Sequence, residues 1–169
     1  MDIMPNRMDR GYYMYQREFE EKALEVLRSG WYVLGKEVAS FEEEFAELLY
    51  EHGFWVHLLQ QNAAGQPADI IATKNKTPLL IDCKQCTNNR FPLSRIEDNQ
   101  HSAMDLWRDR GNGEPWFALK VHGVDTDRDY IFMIPHLSMK AISITQSSLN
   151  LDDIIEYGTE FGKWVKKCK

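Results

Sequence analysis

The spacing of apolar residues predicts two amphipathic helices at the start of the chain. Between Tyr15 and Arg28, apolar side chains recur every three or four residues, and Gly30 follows as a natural stop. The same spacing continues from about Lys36 to His52, where most of the outer face is glutamate. Gly53 then ends the pattern, as glycine commonly does at a helix C-terminus.

The pattern next changes to short apolar runs rich in β-branched residues, which predict strands. These runs are FWVHLLQ, PADIIAT and PLLIDCK, followed later by WFALKVH and YIFMIP. Between the two groups, SRIE at Ser94–Glu97 matches a capping box and predicts a helix that runs to about Arg110. Apolar spacing over Leu151–Lys167 predicts a closing helix.

The order of these elements predicts an α/β fold. Two helices, three strands, a helix, two strands and a helix suit a central mixed β-sheet flanked by helices. At 169 residues the chain can bury one sizeable core but hardly two. The first helix reads as a separate module, so we expect an N-terminal helical extension over residues 1–34 and the main domain over residues 35–169.

Composition excludes several classes of protein. Five Trp, seven Tyr and eight Phe are too many aromatic residues for a disordered chain. No apolar run approaches the roughly 18 residues that a membrane span requires. The N-terminal residues lack the apolar stretch of a secretory signal, and three cysteines fit a reducing compartment, so we expect a cytoplasmic protein with no membrane partner.

A net charge of −6 by itself argues against a nucleic-acid partner, but the distribution of that charge along the chain does not. Residues 1–52 hold 12 acids and 6 bases, which accounts for the whole net charge. Residues 53–169 hold 14 of each and are neutral. Residues 53–169 therefore permit a polyanionic partner.

One segment, PADIIATKNKTPLLIDCKQC, carries a pattern of catalytic residue types. Side chains alternate across a strand, so Asp82 and Lys84 should share a face while Cys83 points away. A tight hairpin would lay that face beside Asp69. Paired carboxylates suit Mg²⁺ or Mn²⁺, and a lysine beside a metal-activated water suits phosphodiester hydrolysis.

This segment resembles the signature of the PD-(D/E)XK nucleases, although Ala68 separates Pro67 from Asp69. Upstream, GKEVASFEEEFAELLYEHGFWVHLL looks like the family's first helix, which donates a Glu to the metal site. Downstream, NNRFPLSRIEDNQHSAMDLW, WFALKV and YIFMIP resemble the RecU-type Holliday-junction resolvases and their phage relatives. The resemblance covers about Gly35 to Ile142, although an evident basic stalk is missing and NQH stands where longer resolvases tend to place His before Gln.

The resemblance implies a restriction-endonuclease-like core and a metal-dependent DNA endonuclease, most like a Holliday-junction resolvase of recombination or phage DNA processing. It assigns Asp69, Asp82 and Glu42 as ligands of Mg²⁺ or Mn²⁺, Lys84 as the catalytic lysine and Gln100 as a helix-borne residue near the site. Glu43 and Glu44 remain alternatives to Glu42. Such enzymes act as homodimers, for which the acidic N-terminal helices offer a surface.

We expect DNA, branched or duplex, to lie along a basic face; this face comprises Lys74, Lys76, Arg90 and Arg95. The substrate could be a junction, a flap or a plain duplex. The competing hypothesis is a non-catalytic DNA- or protein-binding module that retains the nuclease fold.

Other motifs favour simpler interpretations. Cys83-Lys84-Gln85-Cys86 is a C-x-x-C, but strand alternation separates its thiols and no second pair completes a zinc site. Among the histidines only His101, beside Gln100, is a reasonable general base. EKALEVLRSGWYVLGKEVASFEEEFA resembles the N-terminal helix and loop of DegT-type sugar aminotransferases, yet 169 residues leave no room for their cofactor domain. Trp107, Trp116 and Trp164 are interpreted as core residues.

Overall fold

The computed structural model describes residues 40–60, 63, 65–123 and 127–168. These residues belong to a single unit, Ser40–Lys169. The predicted helix between Tyr15 and Arg28 and the boundary at residue 34 lie outside the described residues. No helix in the described part of the chain has the length and apolar content of a membrane span.

The described residues form five α-helices and eight strands, and three of the strands are only two residues long. In chain order they are α1 (Phe41–Glu51), β1 (Trp55–Leu58), β2 (Ile70–Lys74), β3 (Thr77–Gln85), β4 (Phe91–Pro92), a 3-10 turn (Leu93–Arg95), α2 (Asp98–Asp109), β5 (Trp116–His122), β6 (Asp129–Pro135), α3 (His136–Ser143), β7 (Ser148–Leu149), α4 (Leu151–Tyr157), β8 (Thr159–Glu160), α5 (Phe161–Trp164) and a 3-10 turn (Val165–Lys167).

Six strands form one mixed sheet in the order β1-β2-β3-β5-β6-β8. β3 and β5 are parallel, and every other neighbouring pair in this sheet is antiparallel. A parallel pair needs a crossover, and here the crossover carries α2. β4 and β7 pair in a separate small sheet.

Each face of the sheet carries its own apolar core. One core packs α1 and α5 on the sheet, with Phe45 and Leu49 fully buried. The other packs α2, α3 and α4, with Met104, Met139 and Ile154 fully buried. The predicted α/β fold with a central mixed sheet flanked by helices is confirmed.

α1 begins where its sequence supplies a capping box. Ser40 Oγ accepts a hydrogen bond from the Glu43 amide at 3.3 Å, and Glu43 Oε2 accepts one from the Ser40 amide at 2.8 Å. These two bonds satisfy amides that the first helical turn leaves free. They also place Glu42 in the first turn of α1.

The predicted capping box at Ser94 is wrong. Ser94 lies in a 3-10 turn, and Ile96, with ψ of 114°, takes extended backbone that interrupts any helix. Leu93 and Ile96 are both buried, so the core holds this segment, in which the Ile96 amide donates to the carbonyl of Leu93 at 3.1 Å. α2 instead begins at Asp98, where the Gln100 side chain accepts from the Glu97 amide at 3.2 Å.

The predicted closing helix over Leu151–Lys167 is also wrong as a continuous element. Ile154 packs in the core under one face of the sheet, whereas Phe161 and Trp164 pack in the core under the other. The chain must therefore pass round the sheet edge, and it does so through β8, which pairs with β6. α3 and the small β4–β7 sheet were not predicted.

Candidate active site

Two neighbouring strands bring the predicted acids together. Asp82 and Lys84 lie on β3, and Asp69 immediately precedes β2. Ile70 pairs with Ile81, so Asp69 stands opposite Asp82 across the hairpin. Cys83 packs in the core on the α1 side, so Asp82 and Lys84 project from the other face of the sheet.

Asp82 is a fully buried carboxylate. Its Oδ1 accepts a hydrogen bond from Gln100 Nε2 at 2.7 Å. Its Oδ2 lies 2.9 Å from Lys84 Nζ, yet no described residue gives this atom a well-directed hydrogen bond. One oxygen is therefore held by an amide, while the other lies beside the Lys84 ammonium.

Asp69 is held by the backbone of the facing strand. Its Oδ2 accepts from the Cys83 amide at 2.6 Å, and its Oδ1 accepts from Gln66 Nε2 at 3.2 Å. Gln66 also donates to the carbonyl of Leu59 at 2.8 Å, which fixes its amide. Sequence reasoning missed Gln66, whose only signal is its position directly before Pro67.

Burial and neighbouring charge raise the cost of ionising both carboxyl groups. Burial, followed by the charge of Asp82, raises the pKa of Asp69 to about 7. Burial also raises the pKa of Asp82, against the lowering effect of the Lys84 ammonium. Further positive charge at this point would favour the ionised form of both groups.

These features fit a divalent cation of the Mg²⁺ type. Mg²⁺ prefers carboxylate oxygens and needs only one or two of them from the protein. Asp69 and Asp82 offer such oxygens, and Asp82 Oδ2 is buried without a directed hydrogen-bond donor. Within the described ranges, no three His, Cys, Asp or Glu residues are grouped closely enough to form a complete metal cage.

The acids open onto a cavity of about 390 Å³. Its lining comprises Glu42, Gly65, Gln66, Asp69, Cys83, Lys84, Arg95, Glu97 and Gln100. Among the three adjacent glutamates of α1, Glu43 caps the helix and Glu44 lies 2.6 Å from Lys120 Nζ. Glu42 is the glutamate of this trio that lines the cavity, and its charge contributes to the raised pKa of both Asp69 and Asp82.

Gln100 connects the helix to the strand. Besides its bond to Asp82, its Oε1 accepts from the Glu97 amide at 3.2 Å and, at a longer 3.5 Å, from Lys84 Nζ. Lysine and backbone amides only donate, so these contacts fix which end of the carboxamide faces Asp82. The first turn of α2 thus orients both charged residues of β3.

The four bases predicted to bind DNA do not share one surface. Arg95 lines the cavity and donates to the carbonyl of Gln85 at 2.6 Å. Arg90 donates to Ser148 Oγ at 2.7 Å in the small sheet. Lys74 and Lys76 lie at the turn end of the β2–β3 hairpin, about 20 Å from the acids at the rise of a strand. Lys74 Nζ also donates a hydrogen bond to the carbonyl of His52 at 2.8 Å.

Comparison with known proteins identifies relatives of this arrangement. The model of the archaeal Holliday junction resolvase (Hjc) family matches residues 35–166. Among solved structures, the Hjc Holliday junction resolvase of Archaeoglobus fulgidus matches with a TM-score of 0.56 and 16% identity, covering 74% of this chain and 97% of that chain. None of the curated proteins matches this chain.

These matches support the restriction-endonuclease-like fold. The matching family is the archaeal one, so the likeness to RecU-type resolvases stays a prediction. The likeness to DegT-type aminotransferases also stays a prediction, because most of its segment lies outside the described residues.

Proposed function

Because the chain belongs to the archaeal Holliday junction resolvase (Hjc) family, we propose that it is a metal-dependent endonuclease that hydrolyses phosphodiester bonds in branched DNA. The observation that carries the proposal is the position of Asp82. This carboxylate is buried between Lys84 and Gln100, opposite Asp69, at the edge of an open cavity. A merely structural ion pair would not require a second, half-buried acid with a raised pKa beside it.

Asp69 and Asp82 would hold a Mg²⁺ or Mn²⁺ ion, with Glu42 as a further ligand from α1. When bound, such an ion lowers the pKa of a coordinated water and offsets negative charge on the phosphate. Glu42 lines the same cavity but does not form a three-ligand group with the two aspartates. Its participation therefore requires ligand movement or an intervening water.

Lys84 is the residue we assign to transition-state stabilisation. Its ammonium lies at the cavity wall, 2.9 Å from Asp82 and partly exposed. Placed there, it can neutralise charge that develops on phosphate oxygens while Asp82 and Gln100 hold its position. Arg95, on the same cavity wall, supplies a second cation for a neighbouring phosphate.

We propose a four-way junction as the substrate and a homodimer as the active form, in DNA recombination. Archaeal Hjc proteins and the RecU-type resolvases that the sequence resembles are both Holliday-junction resolvases. Resolving a junction requires two symmetric cuts, and a two-fold dimer supplies two equivalent sites. Mixed dimers with one Asp82→Asn subunit should nick a junction and rarely resolve it.

The proposal is tested by incubating the protein with labelled junction, flap and linear duplex DNA in Mg²⁺, Mn²⁺ or EDTA. We expect metal-dependent cleavage of the junction in preference to the linear duplex. Asp82→Asn should abolish cleavage while the fold and DNA binding are kept, because it removes a ligand's charge at nearly constant shape. Asp152→Asn, at an exposed position of α4, is the matched control.

Metal-dependent cleavage that survives in Asp82→Asn would contradict the site assignment. Junction binding without cleavage under all three conditions would favour the non-catalytic DNA-binding module. Cleavage of flaps in preference to junctions would keep the nuclease and overturn the substrate.

A further inference from the structure

His136 is a buried titratable residue for which the proposed chemistry has no use. It is the first residue of α3, and its side chain is fully buried. Its amide donates to the carbonyl of Pro115 at 2.9 Å, which ties the start of α3 to the start of β5. A buried imidazole normally has partners at both ring nitrogens, and here both partners lie on α2.

The partners of His136 fix its tautomer. Arg108 Nη2 lies 2.8 Å from His136 Nδ1, and a guanidinium can only donate, so Nδ1 accepts. The proton of the neutral ring is then on Nε2, which donates to His101 Nδ1 at 2.9 Å. Burial lowers the pKa of His136 to about 4 and lowers that of His101 as well, which keeps both rings neutral near pH 7.

Arg108 is itself anchored on its other sides. It donates to Glu114 Oε2 at 2.9 Å and to Asp105 Oδ1 at 3.0 Å. Glu114 Oε1 also accepts from the Leu137 amide at 2.8 Å, and Lys140 Nζ donates to Asp105 at 2.7 Å. α2 and α3 are therefore joined by a continuous series of hydrogen bonds in which His136 is the buried member.

His136 is hydrogen-bonded to two residues on one side of α2. His101 and Arg108 are seven residues apart, which is close to two helical turns, so their side chains leave α2 in nearly the same direction. Gln100 precedes His101 and points about 100° away around the helix. A rotation of α2 would therefore displace the Gln100 carboxamide, which contacts both Asp82 and Lys84.

We propose that His136 is a positioning residue for the nuclease site. By joining His101 to Arg108, it sets the rotation of α2 that directs the Gln100 carboxamide onto Asp82 and Lys84. This inference rests on the proposed function for its link to cleavage. The geometry at Gln100 can be examined without cleavage.

The first test is a double-mutant cycle between His136 and Gln100. His136→Phe keeps an aromatic ring and removes both hydrogen bonds, and we expect it to lower the single-turnover rate of junction cleavage on the order of 10-fold. The same change in a Gln100→Ala background should cost little, because the residue through which it acts is absent. His136→Gln, which restores one donor and one acceptor, should recover much of the rate.

A purely structural role for His136 would give a different result. The rate loss from His136→Phe would then be equal in both backgrounds, and that additivity would overturn the proposal. His57→Phe, the same substitution at an exposed position of β1, is the control and should leave the rate unchanged. Should His136→Phe fail to fold, His101→Phe breaks the same series at a half-buried residue and takes its place in the cycle.

The second test uses the amide signals of Gln100 in a ¹⁵N-labelled protein and requires no activity. The Nε2 protons of wild-type Gln100 should be distinctive, because one is donated to a buried carboxylate. They should shift in His136→Phe and return in His136→Gln. Unchanged Gln100 signals in a folded His136→Phe protein would overturn the inference, whereas an inactive wild type with the expected shifts would overturn only the proposed function.

Discussion

At the residue scale, the site is defined by a buried carboxylate, that of Asp82, beside the partly exposed ammonium of Lys84. Asp82 is fully buried, and its pKa is raised by burial although Lys84 lies 2.9 Å away. The single Lys84 ammonium thus does not return these two carboxyl groups to their ordinary pKa, since the pKa of Asp69 is raised as well. The imbalance favours binding of a further cation and separates this group from an ordinary surface ion pair.

Lys84→Met should slow cleavage far more than it weakens metal binding. Its ammonium lies at the cavity, where it can face the phosphate, and the loss of one preorganised group of this kind costs on the order of 10²–10³-fold in rate. Single-turnover kinetics at saturating Mg²⁺ give the rate, and Mn²⁺ titration gives the affinity. Lys163→Met, exposed on α5, is the matched control. A collapse of metal affinity would instead make Lys84 a support for Asp82.

Because the pKa of Asp69 is raised, we expect that removing its carboxyl group stabilises the protein by an amount that depends on pH. In the unfolded chain an aspartate has a pKa of about 3.9, whereas in the folded protein this group has a pKa of about 7. The folded state binds the extra proton between these values, so this group lowers the free energy of unfolding as pH rises through that window. In EDTA, Asp69→Asn should melt above wild type at pH 8.

Thermal melts at pH 8 and at about pH 4 distinguish this mechanism from a general effect of the substitution. Most of the advantage of Asp69→Asn should disappear at the lower pH, where the folded group is protonated and the unfolded group is about half protonated. Titrating groups that do not interact with Asp69 cancel in the comparison. An equal difference at both pH values would show that the Asp69 charge is not responsible.

Residue-scale prediction from sequence worked where strand alternation determines direction. Asp82 and Lys84 are two residues apart on one strand, so their shared face follows from the period of the backbone. Gln66 could not be found in this way, because it lies outside any strand and reaches Asp69 through a loop conformation. The two hydrogen-bond partners of His136 lie 28 and 35 residues away in the sequence, so no local pattern predicts them.

At the scale of elements, apolar spacing located most strands but did not determine where the last helix breaks. The spacing over Leu151–Lys167 is nearly helical, yet its apolar residues serve two cores on opposite faces of the sheet. Only the position of β6 requires the chain to become extended at Gly158. That requirement is a tertiary contact, so a local pattern cannot contain it.

Gly158→Ala should destabilise the domain. A Cβ there would lie 2.6 Å from the carbonyl oxygen of Ile154 and 3.0 Å from Cβ of Phe132, so backbone must move. Overpacking of this kind costs about 1–3 kcal/mol, which urea unfolding would detect. Gly162→Ala is the control, since its Cβ would meet nothing closer than 3.9 Å. Equal stability of the two variants would mean that β8 does not approach β6 so closely.

At the scale of the whole molecule, the distribution of charge decides where DNA can lie. The formal net charge is −6, and the two lysines of the β2–β3 hairpin end lie far from the acids. Arg95 is different because it lines the cavity together with Lys84. Its guanidinium also lies over the Phe91 ring, 5.3 Å from the ring centroid, which holds it in place. We therefore expect DNA that enters the cavity for cleavage to meet Arg95 before the other bases of the predicted set.

Arg95→Gln should make junction binding less sensitive to salt. Each phosphate contact releases counterions, so the loss of one should reduce the slope of log affinity against log salt by about 1. The measurement is a series of binding titrations in Ca²⁺ between low and moderate salt. Arg128→Gln is the matched control, because Asp127 and Asp129 already offset the field of this exposed arginine. If Arg128→Gln flattened the slope as much as Arg95→Gln, the DNA would lie across the β5–β6 end of the sheet and away from the cavity that holds the two aspartates.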